Sequence, residues 1–195
     1  MPALSFAAYT GYVDGQQSYI NSVPDGAPLV IKGAAPTYET NSGAGTVFVY
    51  TNQGTANYLS YTHGMAANGT SSAGKVNQYS LMFDVYISDT SIHSLFNTSL
   101  NTDLEFAINN YKVGANNALG SYSTGGLSAS TWQRLVVTVD ADLKTVTAYL
   151  NGTQLYQWSN LDDTKINAFR LDPAGSLYLF NDDTGENNRT YMGTV

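Results

Sequence analysis

The sequence predicts an all-β protein in which two antiparallel sheets pack face to face as a jelly-roll sandwich. Three observations support this. About a dozen short apolar or β-branched runs recur at roughly 8 to 12 residue spacing, separated by Gly, Asn, Asp and Pro. No segment shows the apolar period of an amphipathic helix of ordinary length. Residues 132–155, WQRLVVTVDADLKTVTAYLNGTQL, read as consecutive strands: Leu135, Val137 and Val139 share one parity, as do Val146, Ala148 and Leu150, so each run buries one face. The polar turn Asp140-Ala141-Asp142-Leu143-Lys144 joins the first pair. Asn151-Gly152 joins the second, because both residues tolerate positive φ.

A chain of 195 residues is long enough for a core, and a sandwich of this length is expected as one domain, residues 1–195. Eight Lys and Arg stand against 15 Asp and Glu, and the basic residues are scattered. Nothing here tracks a phosphate backbone, which argues against nucleic acid as a partner. With no cysteine there is neither a disulfide framework nor a thiol nucleophile. Low charge, many Ser, Thr, Asn and Gly, and 15 Tyr point to a secreted or surface-located bacterial protein. Met1-Pro2-Ala3 lacks the basic start and long apolar core of a signal peptide, so the chain is expected to be a module excised from a longer protein. No apolar run approaches the roughly 20 residues of a membrane-crossing helix.

Taken in order, residues 1–40 are rich in Gly, Pro, Ser and Ala and read as loops and edge strands. Pro24-Asp25-Gly26 forms a turn, and Pro36 argues against a central strand. Residues 46–50 and 57–63 follow as strands, and residues 66–74 (AANGTSSAG) as a flexible polar loop of the kind that meets ligands. Residues 78–88 give the longest strand signal. Leu81, Phe83, Val85 and Ile87 hold its core face, while Ser80, Met82, Asp84 and Tyr86 hold a concave or solvated one. Shorter strands are expected at 92–96, 104–108, 111–113, 119–122, 155–158, 169–171, 177–180 and 190–192.

The aromatic opening of the 132 strand, the hairpin, and Tyr149 followed by Asn151-Gly152 form a pattern. Together with YSLMFDVYI at 79–87, SLFNTS at 94–99 and SLYLFNDDTGE at 176–186, it resembles the laminin-G-like, concanavalin-A-like lectin/glucanase superfamily over residues 58–192. The resemblance implies a concanavalin-A-like jelly roll, a glycan or cell-surface polymer as partner, and flanking domains such as a secreted hydrolase. It also implies a structural Ca²⁺ at the sandwich rim, and a last strand and short helix beyond Val195 unless residues of the N-terminal part fill that slot.

Several groups are candidates for chemistry. Asn101-Thr102-Asp103-Leu104-Glu105 is similar to the Glu-x-Asp-x-Glu strand of glucanases in this superfamily, but Asn101 stands where the resemblance would put the nucleophilic carboxylate that retaining hydrolysis needs. Tyr111-Lys112-Val113-Gly114 and Ser91-Ile92-His93 are similar to runs in jelly-roll alginate lyases, yet no arginine precedes Arg134 to match the arginine-bearing strand of those enzymes. His63 and His93 lack a serine motif or metal-spaced partner and read as surface or strand residues. The acidic loop with Asp182, Asp183 and Glu186 offers hard oxygens suited to Ca²⁺. Tyr156 and Trp158 are candidates for stacking on a sugar ring, and Trp132 is expected in the core. The leading expectation is a non-catalytic module that binds a glycan or surface polymer. A glucanase or lyase, and a structural or adhesion spacer, are the alternatives.

Overall fold

A computed structural model describes residues 30–33, 37–41, 45–51, 58–100, 106–173, 175–180 and 189–194. In chain order its elements are β1 (Val30–Lys32), β2 (Thr37–Asn41), β3 (Gly45–Thr51), β4 (Tyr58–Thr62), β5 (Gln78–Tyr86), β6 (His93–Asn97), β7 (Phe106–Asn109), β8 (Lys112–Ala115), α1 (Asn116–Leu119), β9 (Ser121–Tyr122), β10 (Trp132–Asp140), β11 (Thr145–Leu150), β12 (Thr153–Trp158), α2 (Asp163–Asn167), β13 (Ser176–Leu179) and β14 (Arg189–Thr194). The strands form two seven-stranded sheets. One runs β12-β11-β10-β5-β14-β3-β2, the other β1-β4-β13-β6-β7-β8-β9. Each strand ladder is antiparallel, so the chain is a two-sheet jelly-roll sandwich.

The central hairpin folds as its pattern predicts. Leu135, Val137, Val139, Val146 and Ala148 are buried. Asn151 and Gly152 take φ of 50° and 83° in the β11–β12 turn, and Asn151 Oδ1 accepts from the Arg134 amide at 2.9 Å. β5 pairs β10 from Gln78↔Asp140 to Trp132↔Tyr86, which brings Phe83 and Val85 to the same inner face.

Across the interior, Phe83 stacks on Phe96 at 6.2 Å and Phe96 on Phe106 at 5.5 Å. Phe106 then meets Trp158 edge-on at 5.9 Å. This row of rings joins the two sheets and contributes about 0.5–1.5 kcal/mol per pair beyond simple burial. Tyr79 is buried beside it and donates its hydroxyl to the Phe169 carbonyl at 2.7 Å; burial pushes its pKa far up.

Several expectations change. Trp132 does not enter the core: it is half-buried on the outward face of its sheet, tilted against Tyr86 at 5.7 Å. Its position has the parity of exposed Arg134, opposite to that of Leu135. His63 and His93 are buried rather than at the surface, and His93 opens β6, as the strand alternative had it. Residues 169–171 form no strand. Leu171 makes one bridge to Val76, and the preceding residues form α2, capped by Asp162 Oδ1 accepting from the Lys165 amide at 2.8 Å.

The 66–74 loop is fixed by polar contacts. Asp142, in the β10–β11 turn, accepts from the amides of Thr70 (2.8 Å) and Ser71 (2.7 Å). Buried Asn77 donates its side-chain amide to the carbonyls of Asn68 (2.6 Å), Ser72 (2.9 Å) and Lys75 (3.3 Å). Gly69, at φ +70°, lies under Asp142, and a Cβ there would stand 2.7 Å from the carboxylate.

Candidate ligand-binding site

The second sheet ends in β7, β8 and β9, and their connections open a depression. β7 and β8 pair from Ala107↔Gly114 to Asn109↔Lys112, leaving Asn110 and Tyr111 as a two-residue turn with φ of 50° and 64°. Asn tolerates this region. A tyrosine there costs about 1–2 kcal/mol and is held by its surroundings. The Leu127 amide donates to the Tyr111 carbonyl at 2.7 Å, and Gly126 lies so close that a Cβ would be 2.6 Å from that oxygen. β8 then pairs β9 at Gly114↔Tyr122 and Ala115↔Ser121.

The depression holds about 500 Å³ and is lined by Asn109, Asn110, Lys112, Ser121, Tyr122 and Ser123, with Gly120 at its rim. Asn110 and Lys112 are exposed, Asn109, Ser121 and Tyr122 half-buried, and Ser123 buried. Ser123 is committed internally: its hydroxyl accepts from the Val113 amide at 3.1 Å and donates to the Gly125 carbonyl at 2.5 Å. The lining therefore presents amides, hydroxyls, one phenol ring and one ammonium.

Trp158 lies behind this wall. It is buried, its Nε1 donates to the Ser121 carbonyl at 3.2 Å, and its ring is contacted by Phe106 and Tyr156. Partly buried Tyr156 packs against Trp158 at 4.9 Å. Both residues pair with inward positions of β11, Trp158 with Val146 and Tyr156 with Ala148, so they pack toward the core. The structure thus brings Trp158 to the underside of the depression rather than into its opening.

A second polar and aromatic group sits on the outward face of the other sheet. Arg134 grips Asp84 with Nε to Oδ1 and Nη2 to Oδ2, both at 2.7 Å, next to the Trp132–Tyr86 pair. The residues 101–105, and Asp182, Asp183 and Glu186, lie outside the described residues. Among the described residues no three or more His, Asp or Glu side chains are grouped to hold a metal ion, and no helix is long and apolar enough to cross a membrane.

Asn109, Asn110 and Ser121 did not stand out in the sequence, although Asn110, following an apolar run, is a residue that tolerates the positive φ of a hairpin turn. A strand was expected at 119–122 and β9 forms within it, at Ser121–Tyr122, but Leu119 ends α1 instead, and the way the turn and strand ends enclose an opening has no local pattern.

No family model matches the sequence, and no curated protein matches it. Solved structures share its fold. Domain 4 of AbnA, a GH43 extracellular arabinanase from Geobacillus stearothermophilus, is 15% identical over 95% of this chain and 93% of that one, with a TM-score of 0.56. The binding domain of botulinum neurotoxin serotype D is 14% identical with a TM-score of 0.55; the match covers 94% of this chain and 46% of the toxin chain. A protein of unknown function from Shewanella oneidensis is 13% identical over 94% of this chain and 83% of that one, with a TM-score of 0.53.

Proposed function

We propose that this domain is a non-catalytic binding module of an exported protein, and that it holds a glycan or surface polymer in the depression between β7, β8 and β9. The observation that carries the reading is the lining itself. Asn109, Asn110 and Ser121 offer donors and acceptors matched to sugar hydroxyls, and Tyr122 offers a ring face and a hydroxyl, around an opening of about 500 Å³. The strained Asn110-Tyr111 turn, fixed through Leu127, supports a preformed rim that loses little freedom on binding. In this proposal Tyr156 and Trp158 act from behind, holding Ser121 in place. The arabinanase domain with the same fold is described in complex with arabinotriose, which supports a saccharide as the ligand class.

An oligosaccharide array followed by calorimetry on the best ligand tests this. Asn109→Ala and Tyr122→Ala are expected to weaken binding by about tenfold each, as losing a bond to a well-placed polar group does. The outward variant Trp132→Ala should leave affinity unchanged. Binding that survives both depression variants and disappears in Trp132→Ala would move the site to the other sheet.

The Ca²⁺ expected at Asp182, Asp183 and Glu186 belongs to the same proposal as a structural ion. A ligand at a hundred times its Kd adds about 2.7 kcal/mol of stability. Chelation should therefore lower the Tm of the parent and leave Asp182→Asn with Asp183→Asn unmoved. A parent whose melting ignores both EDTA and added calcium has no such ion.

A further inference from the structure

We propose that the depression selects saccharides carrying an acidic group, a carboxylate or a sulfate, through Lys112 and Lys165. This deepens the reading of the depression as a glycan site and rests on it.

The chain has a net charge of −7, and most of its described cations are already engaged. Lys75 pairs with Asp172 at 2.6 Å, Lys144 with Asp163 at 2.9 Å and Arg134 with Asp84 at 2.7 Å. Arg170 donates to the side-chain oxygens of Asn77, Asn167 and Ser71. Lys112 differs. It is exposed on β8, lines the depression, and makes no ion pair or hydrogen bond with the described residues. Its stem passes the 125–127 segment, where a Cβ on Gly126 would lie 3.6 Å from Lys112 Cγ, so a packed loop steers the ammonium.

A second ammonium reaches the rim from α2. Lys165 Nζ lies 3.6 Å from where a Cβ on Gly120 would stand, and its nearest carboxylate, Asp162, is at 3.8 Å, the outer limit of an ion pair. The described lining contains no carboxylate. Unpaired Lys112, with Lys165 held only loosely by Asp162 at 3.8 Å, therefore makes the field at the lining locally positive on a chain of net negative charge. Screening over about 8–10 Å at ordinary salt confines that field to the depression. Amides and hydroxyls alone would suit a neutral sugar; an exposed ammonium among them gains most from a ligand that brings its own negative charge.

The test compares matched oligosaccharides by calorimetry at low and high salt: a uronate oligomer, its carboxyl-reduced neutral form, and a sulfated form of the neutral oligomer. At least one acidic form should bind about tenfold tighter than the neutral one, the gain expected of a hydrogen bond to a charged group. That advantage should shrink with salt. Lys112→Met should abolish most of the preference, Lys112→Arg should retain it, and Lys165→Met should reduce it less. The acidic form that wins assigns the group as carboxylate or sulfate. Equal binding of acidic and neutral forms at low salt, or a preference that Lys112→Met leaves intact, overturns the charge selection while the glycan site stands. If no saccharide binds even the parent, the glycan reading fails and takes this inference with it.

Discussion

Trp158 and Trp132 occupy the same sheet two strands apart, yet one is sealed between the sheets and the other lies on the outer surface. Trp158 pairs with Val146 and shares its inward direction; Trp132 pairs with Tyr86 and alternates away from Leu135. The two residues have the same apolar area to bury, so hydrophobicity does not decide between them. The two-residue period of the strand does, because moving Trp132 inward would turn Leu135, Val137 and Val139 outward. One half-exposed indole costs far less than three wetted aliphatic side chains.

The largest expected effect follows directly. Trp158→Ala should destabilise the fold by about 3–5 kcal/mol, as truncating a buried large aromatic does, because it opens a void beside Phe106 and Tyr156 and leaves the Ser121 carbonyl without the indole donor. A urea melt measures it, and a loss under about 1 kcal/mol would place Trp158 outside the core.

Acid tests another inward group. His63 is buried, its Nδ1 accepts from the Met65 amide at 3.1 Å, and burial holds its pKa below the ordinary 6.5 against the opposing pull of Asp172. A folded pKa below the unfolded one means that its contribution is whole above pH 6.5 and is lost as pH falls below it. Tm measured from pH 7.5 to 5 should therefore fall in the parent, and less in His63→Gln. Identical pH profiles would remove His63 from the account.

Trp132→Ala should cost only about 1–2 kcal/mol, in line with partial burial. Acrylamide should quench Trp132 readily in a Trp158→Phe background and Trp158 poorly in Trp132→Phe. Reversed quenching would exchange the two assignments. The smallest effect belongs to the Arg134–Asp84 pair. Arg134 is 54% exposed, so Arg134→Met should change stability by about 0–1 kcal/mol, and less at high salt. A double-mutant cycle with Asp84→Asn measures the coupling.

Much of the sandwich was legible because its strands carry their own signal. The alternation of β5, β10 and β11 and the Asn151-Gly152 turn are local, and the chain obeys them. The placement of Trp132 was legible too: the parity that put Leu135, Val137 and Val139 inside puts residue 132 outside, and only the habit of burying tryptophan suggests otherwise. The same parity on β12 places Tyr156 and Trp158 inward. The depression was not legible. Its strands β7, β8 and β9 were expected near 104–108, 111–113 and 119–122, but the opening itself comes from how their ends, a left-handed turn and the 120–123 segment meet, which no local pattern records. Nor does composition reveal that the 66–74 loop is fixed, because its anchors, Asp142 and Arg170, lie far away in sequence.

The clasp between that loop and Asp142 also bears on the order in which the chain assembles. It joins residues 71 and 72 positions apart, and closing so long a segment is entropically unfavourable until other contacts have shortened it. The β10–β11–β12 meander needs only short turns and is expected to form early; β5 can then add along β10, leaving the loop tethered within reach. Only once the β10–β11 turn exists is the Asp142 carboxylate placed to receive the amides. The bonds from Ser71 and then Thr70 hold its pKa below the usual carboxylate range, so the clasp stays charged well into mild acid. In pulse-labelled hydrogen exchange during refolding, the amides of Thr70 and Ser71 should therefore gain protection after those of β10 and β11, which makes this loop a late reporter of a completed sandwich.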